Sequence, residues 1–373
     1  MLALVTGGAG FIGSHIVDAL LAKGYEVRIL DALKEPVHPE GRLPGYLSKH
    51  AEVVIGDVRD KSVVSRALEG VEVVFHEAAH QGYLPDYSTF FDVNTTGTAM
   101  LFEVIAEKGL QVKKIVIASS QAVYGEGQYR CKEHGEYTPM PRPMKQLVNG
   151  QWEHTCPVCH KVMENQKAVE TSVHPNTQYA ISKYTQEMIG LNLGKRLNIP
   201  VVCLRYSIVL GKRQSFYNMY TGILRSFTTQ LLFQQAPVIF EDGNMLRDYI
   251  HIDDVVAANM RVLEDARADY QSFNVGSGIR TNVLDFYKEV AKTMNSNLIP
   301  VINGEFRMGD VRHIVSSVAK LEALGWGCKK SLQHMISDYV AYLNTAENIE
   351  DVYASAIKDM QSKSVIMKSG LSG

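Results

Sequence analysis

Residues 4–15 read Leu4-Val5-Thr6-Gly7-Gly8-Ala9-Gly10-Phe11-Ile12-Gly13-Ser14-His15. The apolar run that ends at Val5 predicts a buried strand, and a helical pattern follows over residues 12–23. Three glycines at three-residue spacing allow a tight turn, close approach of the backbone to a pyrophosphate and close helix–strand packing. Phosphates would lie at the helix N-terminus, where free N–H groups favour anions. The stretch therefore predicts dinucleotide binding by Gly7, Gly10, Phe11, Ile12 and Gly13.

The predicted second strand, residues 26–30, ends in Asp31, 18 positions after Gly13. A carboxylate at this position accepts hydrogen bonds from an adenosine ribose and repels a 2′-phosphate, which favours NAD over NADP. The alternative is a cofactor-free α/β domain with a glycine turn and a solvated Asp31. The complete strand–loop–helix–strand–Asp pattern favours the cofactor.

The composition bounds the class of protein. A chain of 373 residues exceeds the usual size of one core, which predicts a large domain and a second lobe. The chain has 46% hydrophobic residues and a net charge of −2. Because it is not basic, its charge gives no support for a nucleic-acid partner. We expect no membrane span and no signal peptide, and hence a cytoplasmic protein. Five cysteines do not suggest a disulfide framework.

Further strands are predicted at residues 53–55, 71–75, 114–118 and 201–205, alternating with helices. This rhythm predicts an α/β fold, a Rossmann-type doubly wound parallel sheet with ligands at the carboxyl ends of its strands. Candidate cofactor contacts near those ends are Asp57, Val58, Ala78, Ala79 and Ser119, with Asn94 on the early turns of a helix over 91–108. Asp57 could instead cap the next turn. Ala78 and Ala79 could instead begin a helix.

Residues 126–176 interrupt the rhythm, since Pro139, Pro141 and Pro143 forbid regular structure, and they contain two chelating pairs, Cys131-x-x-His134 and Cys156-x-x-Cys159. Two such pairs suit a tetrahedral structural zinc site. A metal would also explain how an insertion with few apolar residues becomes ordered. His160 is an alternative fourth ligand to His134, and a flexible loop with free thiols is the alternative to a metal site.

Tyr179 and Lys183 lie four residues apart, and hence on one face of a predicted helix. A phenol with a pKa near 10 is a poor base near neutrality. A nearby ammonium and a positive nicotinamide ring would lower that pKa. Ser120, after the fifth strand, could hold the substrate hydroxyl together with Tyr179. The alternative is an ordinary surface pair, but the glycine loop and the strand-end serines favour catalysis.

Residues 1–206 are predicted to form the dinucleotide-binding domain, and residues 207–345 a smaller mixed α/β substrate lobe. Arg247, Arg307 and Arg312 could converge there on a diphosphate, which guanidinium forks suit. Individually, each is more often a surface or salt-bridge arginine. Residues 346–373 are predicted to be a tail with a short helix and a frayed end.

These motifs resemble those of extended short-chain dehydrogenases/reductases of the nucleotide-sugar epimerase and dehydratase family. The matching segments are Thr6–Gly13, Asp57-Val58, Ser119–Gly125, Tyr179-x-x-x-Lys183, Arg247–Val255 and Arg307–Asp310. The insertion and residues 217–223 most resemble the branch assigned as dTDP-L-rhamnose 4-epimerases.

The resemblance implies that Ser120 and Tyr179 are the catalytic pair and that Lys183 holds the nicotinamide ribose. It implies that Asp31 binds the adenosine ribose, that Asp57 and Val58 hold adenine, and that Arg247 and Arg307 grip the diphosphate. We add Gln121 and Asn218 as substrate contacts. Dehydratases of the group usually carry an Asp-Glu pair where this chain has Ser120-Gln121, which argues against dehydration.

The expected function is NAD-dependent epimerisation of a nucleotide-activated hexose at C4, through a transient 4-keto intermediate. The alternatives are reduction of a 4-keto nucleotide sugar with external cofactor and, in another class, non-catalytic dinucleotide sensing. Members of the family usually dimerise through the helices near 91–108 and 179–196, so a homodimer is expected.

Overall fold

The computed structural model describes residues 1–218, 222–346, 349–351 and 353–370. Its strands are β1 (Leu2–Thr6), β2 (Glu26–Asp31), β3 (Glu52–Ile55), β4 (Val73–His76), β5 (Lys114–Ser120), β6 (Gln128–Cys131), β7 (Gly135–Tyr137), β8 (Glu164–Gln166), β9 (Val201–Tyr206), β10 (Ile208–Leu210), β11 (Leu246–Arg247), β12 (Tyr249–His251), β13 (Gln271–Val275), β14 (Thr281–Asn282), β15 (Glu305–Arg307) and β16 (Ile366–Lys368).

The α-helices are α1 (Phe11–Ala22), α2 (Lys61–Ala67), α3 (Tyr87–Phe90), α4 (Gly97–Lys108), α5 (Met144–Val148), α6 (Gln178–Leu197), α7 (Ile223–Leu232), α8 (Ile252–Glu264), α9 (Val283–Thr293), α10 (Ala319–Glu322), α11 (Leu332–Leu343) and α12 (Tyr353–Ser362). A π-helical turn, Phe91–Thr96, joins α3 to α4. Within the described residues, no helix is both long and apolar enough to cross a bilayer.

Seven of the described strands form the central sheet, in the order β13-β9-β5-β4-β1-β2-β3, and all of its pairings are parallel. The strand order reverses between β1 and β4, and a crevice for ligands forms at such a reversal. Apolar residues of the sheet pack on both faces, against α1 and α8 on one side and α2, α4 and α6 on the other. The predicted α/β Rossmann-type fold is confirmed.

The second lobe has its own apolar core. It is built from α7, α9 and α11, with Leu224, Phe227, Phe286 and Ile336 among its buried side chains. The sequence between Val238 and His251 suggests a hairpin, and that interpretation was wrong. Val238 bridges to Val301, and β11 pairs with β14. The segments before and after the turn at residues 242–244 therefore pair with other parts of the chain, and not with each other.

The insertion, residues 126–176, contains a three-stranded antiparallel sheet in the order β7-β6-β8 and the short helix α5. Part of the tail also differs from expectation. β16 pairs antiparallel with β15, so residues 366–368 are not frayed. Strand β15 is itself tied to the substrate lobe, because the Glu241 N–H donates to the Glu305 carbonyl.

Candidate active site

A cavity of about 800 Å³ lies at the carboxyl ends of the central strands and extends into the second lobe. It is lined by nearly all of the predicted site residues: Gly7, Gly10, Phe11, Ile12, Gly13, Asp31, Asp57, Val58, Ala78, Ala79, Ser119, Ser120, Gln121, Tyr179, Lys183, Asn218, Arg247 and Arg307. The fold therefore brings these residues to one cavity, and the ligand that each contacts stays a prediction.

The glycine loop leaves no room for side chains. Gly7 has φ +68°, and a Cβ added there would lie 2.8 Å from the Ala78 backbone nitrogen. A Cβ at Gly13 would lie 2.2 Å from the Gly7 carbonyl oxygen. Helix α1 begins at Phe11 with no acidic residue in its first turn. The loop thus presents free N–H groups to the cavity, which fits a pyrophosphate.

The two strand-end carboxylates differ in how they are engaged. Asp31 Oδ2 accepts a hydrogen bond from the Ala9 backbone N–H at 3.0 Å, so it also fixes the glycine loop. Asp57 is bonded by Arg59 and ion-paired with Lys34, and the Arg59 hydrogen bond holds the pKa of that carboxyl well below its usual range. Asp57 also accepts from the Arg59 backbone N–H, so it caps its turn as well as lining the cavity.

Asn94 lies behind the cavity wall instead of lining it within the described structure. It is fully buried, its Oδ1 accepts from the His80 N–H at 2.7 Å, and its Nδ2 donates to the His80 carbonyl and the Ser182 hydroxyl. Asn94 therefore joins the loop after β4 to α6, and its contact with the cofactor stays a prediction.

Helix α6 and strand β5 place the catalytic candidates. Thr177 caps α6 by accepting from the Ala180 N–H at 3.2 Å, which fixes Tyr179 in the first turn. Ser120 is the last residue of β5, and its hydroxyl interacts with the Tyr179 phenol. Ser120 Oγ also accepts from the Ala122 N–H at 3.1 Å, which orients it.

The electrostatics of Tyr179 correct one expectation. Burial raises the pKa of Tyr179 to about 12, and the hydrogen bond from Ser120 opposes this only in part. Lys183, which is 2% exposed, has its pKa lowered by burial to about 8, although Glu77 and Glu187 act in the opposite direction. In the chain alone, burial therefore dominates the pKa of the phenol and Lys183 does not offset it, and the effect of a bound nicotinamide ring stays a prediction.

Glu77 is a cavity residue that the sequence analysis missed. It follows β4 directly, lines the cavity, and accepts a hydrogen bond from the Tyr206 hydroxyl at 3.2 Å. Burial raises the pKa of Glu77 to about 7, against the influence of Lys183. The sequence feature that could have identified Glu77 is an acidic residue at the end of a predicted strand, between His76 and Ala78.

Two of the three arginines reach the cavity. Arg247 donates to the carbonyls of Val311 and Arg312 at 2.9 and 3.0 Å, which positions its guanidinium in the wall. Arg307 lies 4.1 Å from the ring centre of Tyr83 and 5.2 Å from that of Phe240. Several buried polar atoms of cavity residues have no hydrogen-bond partner among the described residues, and they include Gln121 Oε1, Asn218 Oδ1 and Arg307 Nε. Unpartnered polar atoms in a cavity indicate a ligand that would satisfy them.

Arg312 does not join the other two arginines. Its side chain is 0% exposed and forms ion pairs with Glu153, Glu241 and Asp242. Arg142, from the insertion, also pairs with Glu241 at 2.8 Å. Arg312 therefore ties the insertion to the substrate lobe, and the expectation that it faces a diphosphate was wrong.

The four predicted metal ligands converge. One ligand atom from each of Cys131, His134, Cys156 and Cys159 lies within 4.8 Å of all the others. The Cys131 and Cys156 sulfurs are each 3.6 Å from His134 Nδ1, and the Cys131 and Cys159 sulfurs are also 3.6 Å apart. Metal–sulfur bonds of about 2.3 Å in a tetrahedron place ligand atoms about 3.5–3.8 Å apart. The cluster could hold a metal, and it includes His134 where His160 was the alternative.

Comparison with known proteins identifies the family. The NAD dependent epimerase/dehydratase family model matches residues 3–146 and 154–276. This chain belongs to that family. A dTDP-L-rhamnose 4-epimerase of Burkholderia thailandensis is 33% identical over 346 residues, 91% of this chain and 94% of its own length. A putative UDP-glucose 4-epimerase of Methanocaldococcus jannaschii is 32% identical, over 92% of this chain and 98% of its own.

Two solved structures share the fold of this family member. The UDP-glucose 4-epimerase of Thermotoga maritima, solved with UDP-glucose, superposes with a TM-score of 0.76 at 29% identity, covering 92% of this chain and 99% of its own. The UDP-glucose 4-epimerase of Thermus thermophilus, solved with NAD, has a TM-score of 0.73 at 29% identity, covering 93% of this chain and 100% of its own. Residues 219–221 of the 217–223 motif lie outside the described residues.

Proposed function

We propose that this enzyme interconverts the C4 epimers of a nucleotide-activated hexose through a transient 4-keto sugar, with NAD as cofactor. The observation that carries the proposal is that Ser120, Tyr179 and Lys183 line the same cavity as the glycine loop, with the Ser120 hydroxyl close enough to the Tyr179 phenol to oppose the rise in its pKa. The similarity to enzymes named as nucleotide-sugar 4-epimerases supports the same reaction.

Tyr179 would move the proton of the C4 hydroxyl, and Ser120 would hold that oxygen between its own hydroxyl and the phenol. Both residues line the same cavity at the end of β5, so a sugar oxygen bound there can contact both hydroxyls. Lys183, which is buried beside them, would bind the ribose hydroxyls and favour the phenolate.

The chain's own residues fit NAD, since Gly7 and Gly13 have no room for a side chain and the loop ends at a helix N-terminus. NAD supplies the site with an acceptor for the C4 hydride, which is returned to the opposite face of the 4-keto sugar. Arg247 and Arg307 would hold the diphosphate while the sugar turns. Ser120 and Gln121 supply no carboxylate for elimination of water, which disfavours dehydration.

The test is conversion of a panel of nucleotide hexoses by the purified enzyme with no added cofactor, followed by NMR. We expect a C4 epimer to form, and Tyr179→Phe to lower kcat at least about a hundredfold, because a general base typically contributes that much. Tyr184→Phe is the control: Tyr184 lies on the same helix and is absent from the described cavity wall. Turnover that requires added NADH and consumes it stoichiometrically, in a second assay, would indicate a reductase, and no turnover of any sugar in either assay would indicate a sensor.

We also propose that the Cys131–His134–Cys156–Cys159 cluster holds a structural zinc ion. The spacing of the ligand atoms supports this, and so does the four-ligand set, which leaves no open position for a substrate. Metal analysis should give one zinc per chain, and Cys156→Ser should lose it together with resistance of the insertion to proteolysis. Cys328→Ser, outside the cluster, is the control. Full retention of order after metal removal would contradict a structural role.

A homodimer is the third proposal. Ile181 and Met188 lie seven residues apart on α6 and are 41% and 50% exposed, and Phe91, beside α4, is 36% exposed. Apolar side chains at this spacing share one helix face, which suits a second copy of the chain. Sedimentation should show a dimer that Met188→Glu weakens. A monomer at micromolar concentration would contradict the proposal.

A further inference from the structure

The C-terminal segment, residues 353–368, is bonded to the strand that carries Arg307. Strand β16 pairs with β15 in a register that sets Ile366 opposite Arg307. Two further backbone hydrogen bonds extend the pairing, from Met308 N–H to the Val365 carbonyl at 2.9 Å and from Ser369 N–H to the Gly304 carbonyl at 3.0 Å. The position of this segment is therefore fixed relative to Arg307.

Side chains of the segment continue the apolar surface around Arg307. Met360, Val365 and Ile366 are buried, and they pack with Tyr83 and Phe240. These two rings are also the ones on which the Arg307 guanidinium lies. The C-terminal segment thus supports the aromatic pair that orients a cavity arginine.

Helix α12 also lines the cavity directly. Tyr353, Ile357 and Met360 are cavity residues, and their spacing places them on one face of the helix. The Tyr353 phenol interacts with Ser226 and Gln230 of α7, and burial raises its pKa to about 12, so it is a neutral hydroxyl near pH 7.

The order of contacts locates this wall within the cavity. Tyr179 interacts electrostatically with Tyr83, Tyr83 contacts Arg307, and Arg307 interacts with Tyr353. Tyr353 therefore lies near Arg307 in the wall of the cavity that also contains Tyr179. A nucleotide sugar with its diphosphate at Arg307 would place its nucleoside within reach of this wall.

We propose that the C-terminal segment is part of the substrate site, and that Tyr353 and Ile357 form a wall for the nucleoside of a nucleoside-diphosphate sugar. The inference rests on the proposed function for the identity of the substrate. An apolar face with one phenol, next to a guanidinium, matches the chemistry of a base and ribose joined to a diphosphate. The segment then contributes to substrate affinity and to the choice of nucleotide, without taking part in proton transfer.

The test uses the full-length chain with Tyr353→Ala, Ile357→Ala and the control Lys358→Ala, which changes an exposed residue of α12. Calorimetry gives the Kd of UDP and of dTDP, absorbance after denaturation gives the bound NAD, and circular dichroism monitors folding. We expect the cavity variants to weaken the better-bound diphosphate about five- to twentyfold. The content of NAD and, where turnover is measured, kcat should stay within about twofold.

Unchanged Kd values in both cavity variants, or equal effects in the Lys358 control, would overturn the inference. A loss of bound NAD in parallel with the loss of diphosphate binding would also overturn it, because that pattern indicates general destabilisation. Since the binding of diphosphates is measured without turnover, the inference can hold even if no hexose is epimerised. Conversely, epimerisation with unchanged Kd values rejects the inference and leaves the proposed function standing.

Discussion

Replacing Glu241 by Gln removes the charge that two buried arginines share. The Glu241 side chain is 1% exposed, and it accepts from Arg142 at 2.8 and 3.0 Å and from Arg312 at 2.8 Å. Loss of one partner from a buried ion pair typically costs about 3–5 kcal/mol, since the other charge stays buried. Arg312 keeps Glu153 and Asp242, so we expect the lower end, about 3 kcal/mol.

Urea unfolding followed by circular dichroism measures this loss as a difference in the free energy of unfolding at constant m-value. The matched control is Glu264→Gln, which removes an ion pair with Lys23 whose side chains are 53% and 41% exposed. Exposed pairs contribute about 1 kcal/mol or less, so the control should change little. A loss below about 1 kcal/mol for Glu241→Gln would refute the view that this network joins the insertion to the lobe.

Two further predictions concern the cavity. Gly13→Ala should abolish retention of NAD, because the added Cβ would lie 2.2 Å from a backbone oxygen. The control Gly45→Ala, which has open space around it, should leave the NAD content unchanged. Equal NAD contents in the two variants would contradict a role of Gly13 in binding the cofactor. Burial raises the pKa of Glu77 from 4.5 to about 7, so the folded protein holds a proton that the unfolded chain loses in this window. That contribution to stability is complete below pH 4.5 and is lost as the pH rises through 7. The free energy of unfolding of Glu77→Gln should therefore increase relative to that of the wild type from pH 5 to pH 8. A difference in urea unfolding that stays constant over this range would contradict the raised pKa of Glu77.

Local patterns were enough to predict the sheet, the glycine loop and the placement of Tyr179 and Lys183. Each depends on residues close together in sequence, such as the turn after β1 or one turn of α6. The metal cluster was also predictable, because each chelating pair is local and only their approach is tertiary.

The roles of Arg312 and Glu77 depend on partners distant in the sequence. Arg312 is paired with Glu153, 159 residues away, and nothing near Arg312 indicates that choice. The raised pKa values of Tyr179 and Glu77 arise from burial, which only the folded chain defines. The pairing of β16 with β15 likewise joins segments about 60 residues apart. Nothing in the local sequence of the tail therefore predicted that it lines the cavity.

The central claim is that hydride leaves C4 and returns to the same carbon within one active site. A nucleotide hexose labelled with deuterium at C4 tests it directly, with the product analysed by NMR and mass spectrometry and no cofactor added. We predict that the C4 epimer retains the deuterium at C4 and that the label slows its formation. An epimer that has lost the deuterium to solvent would contradict the claim.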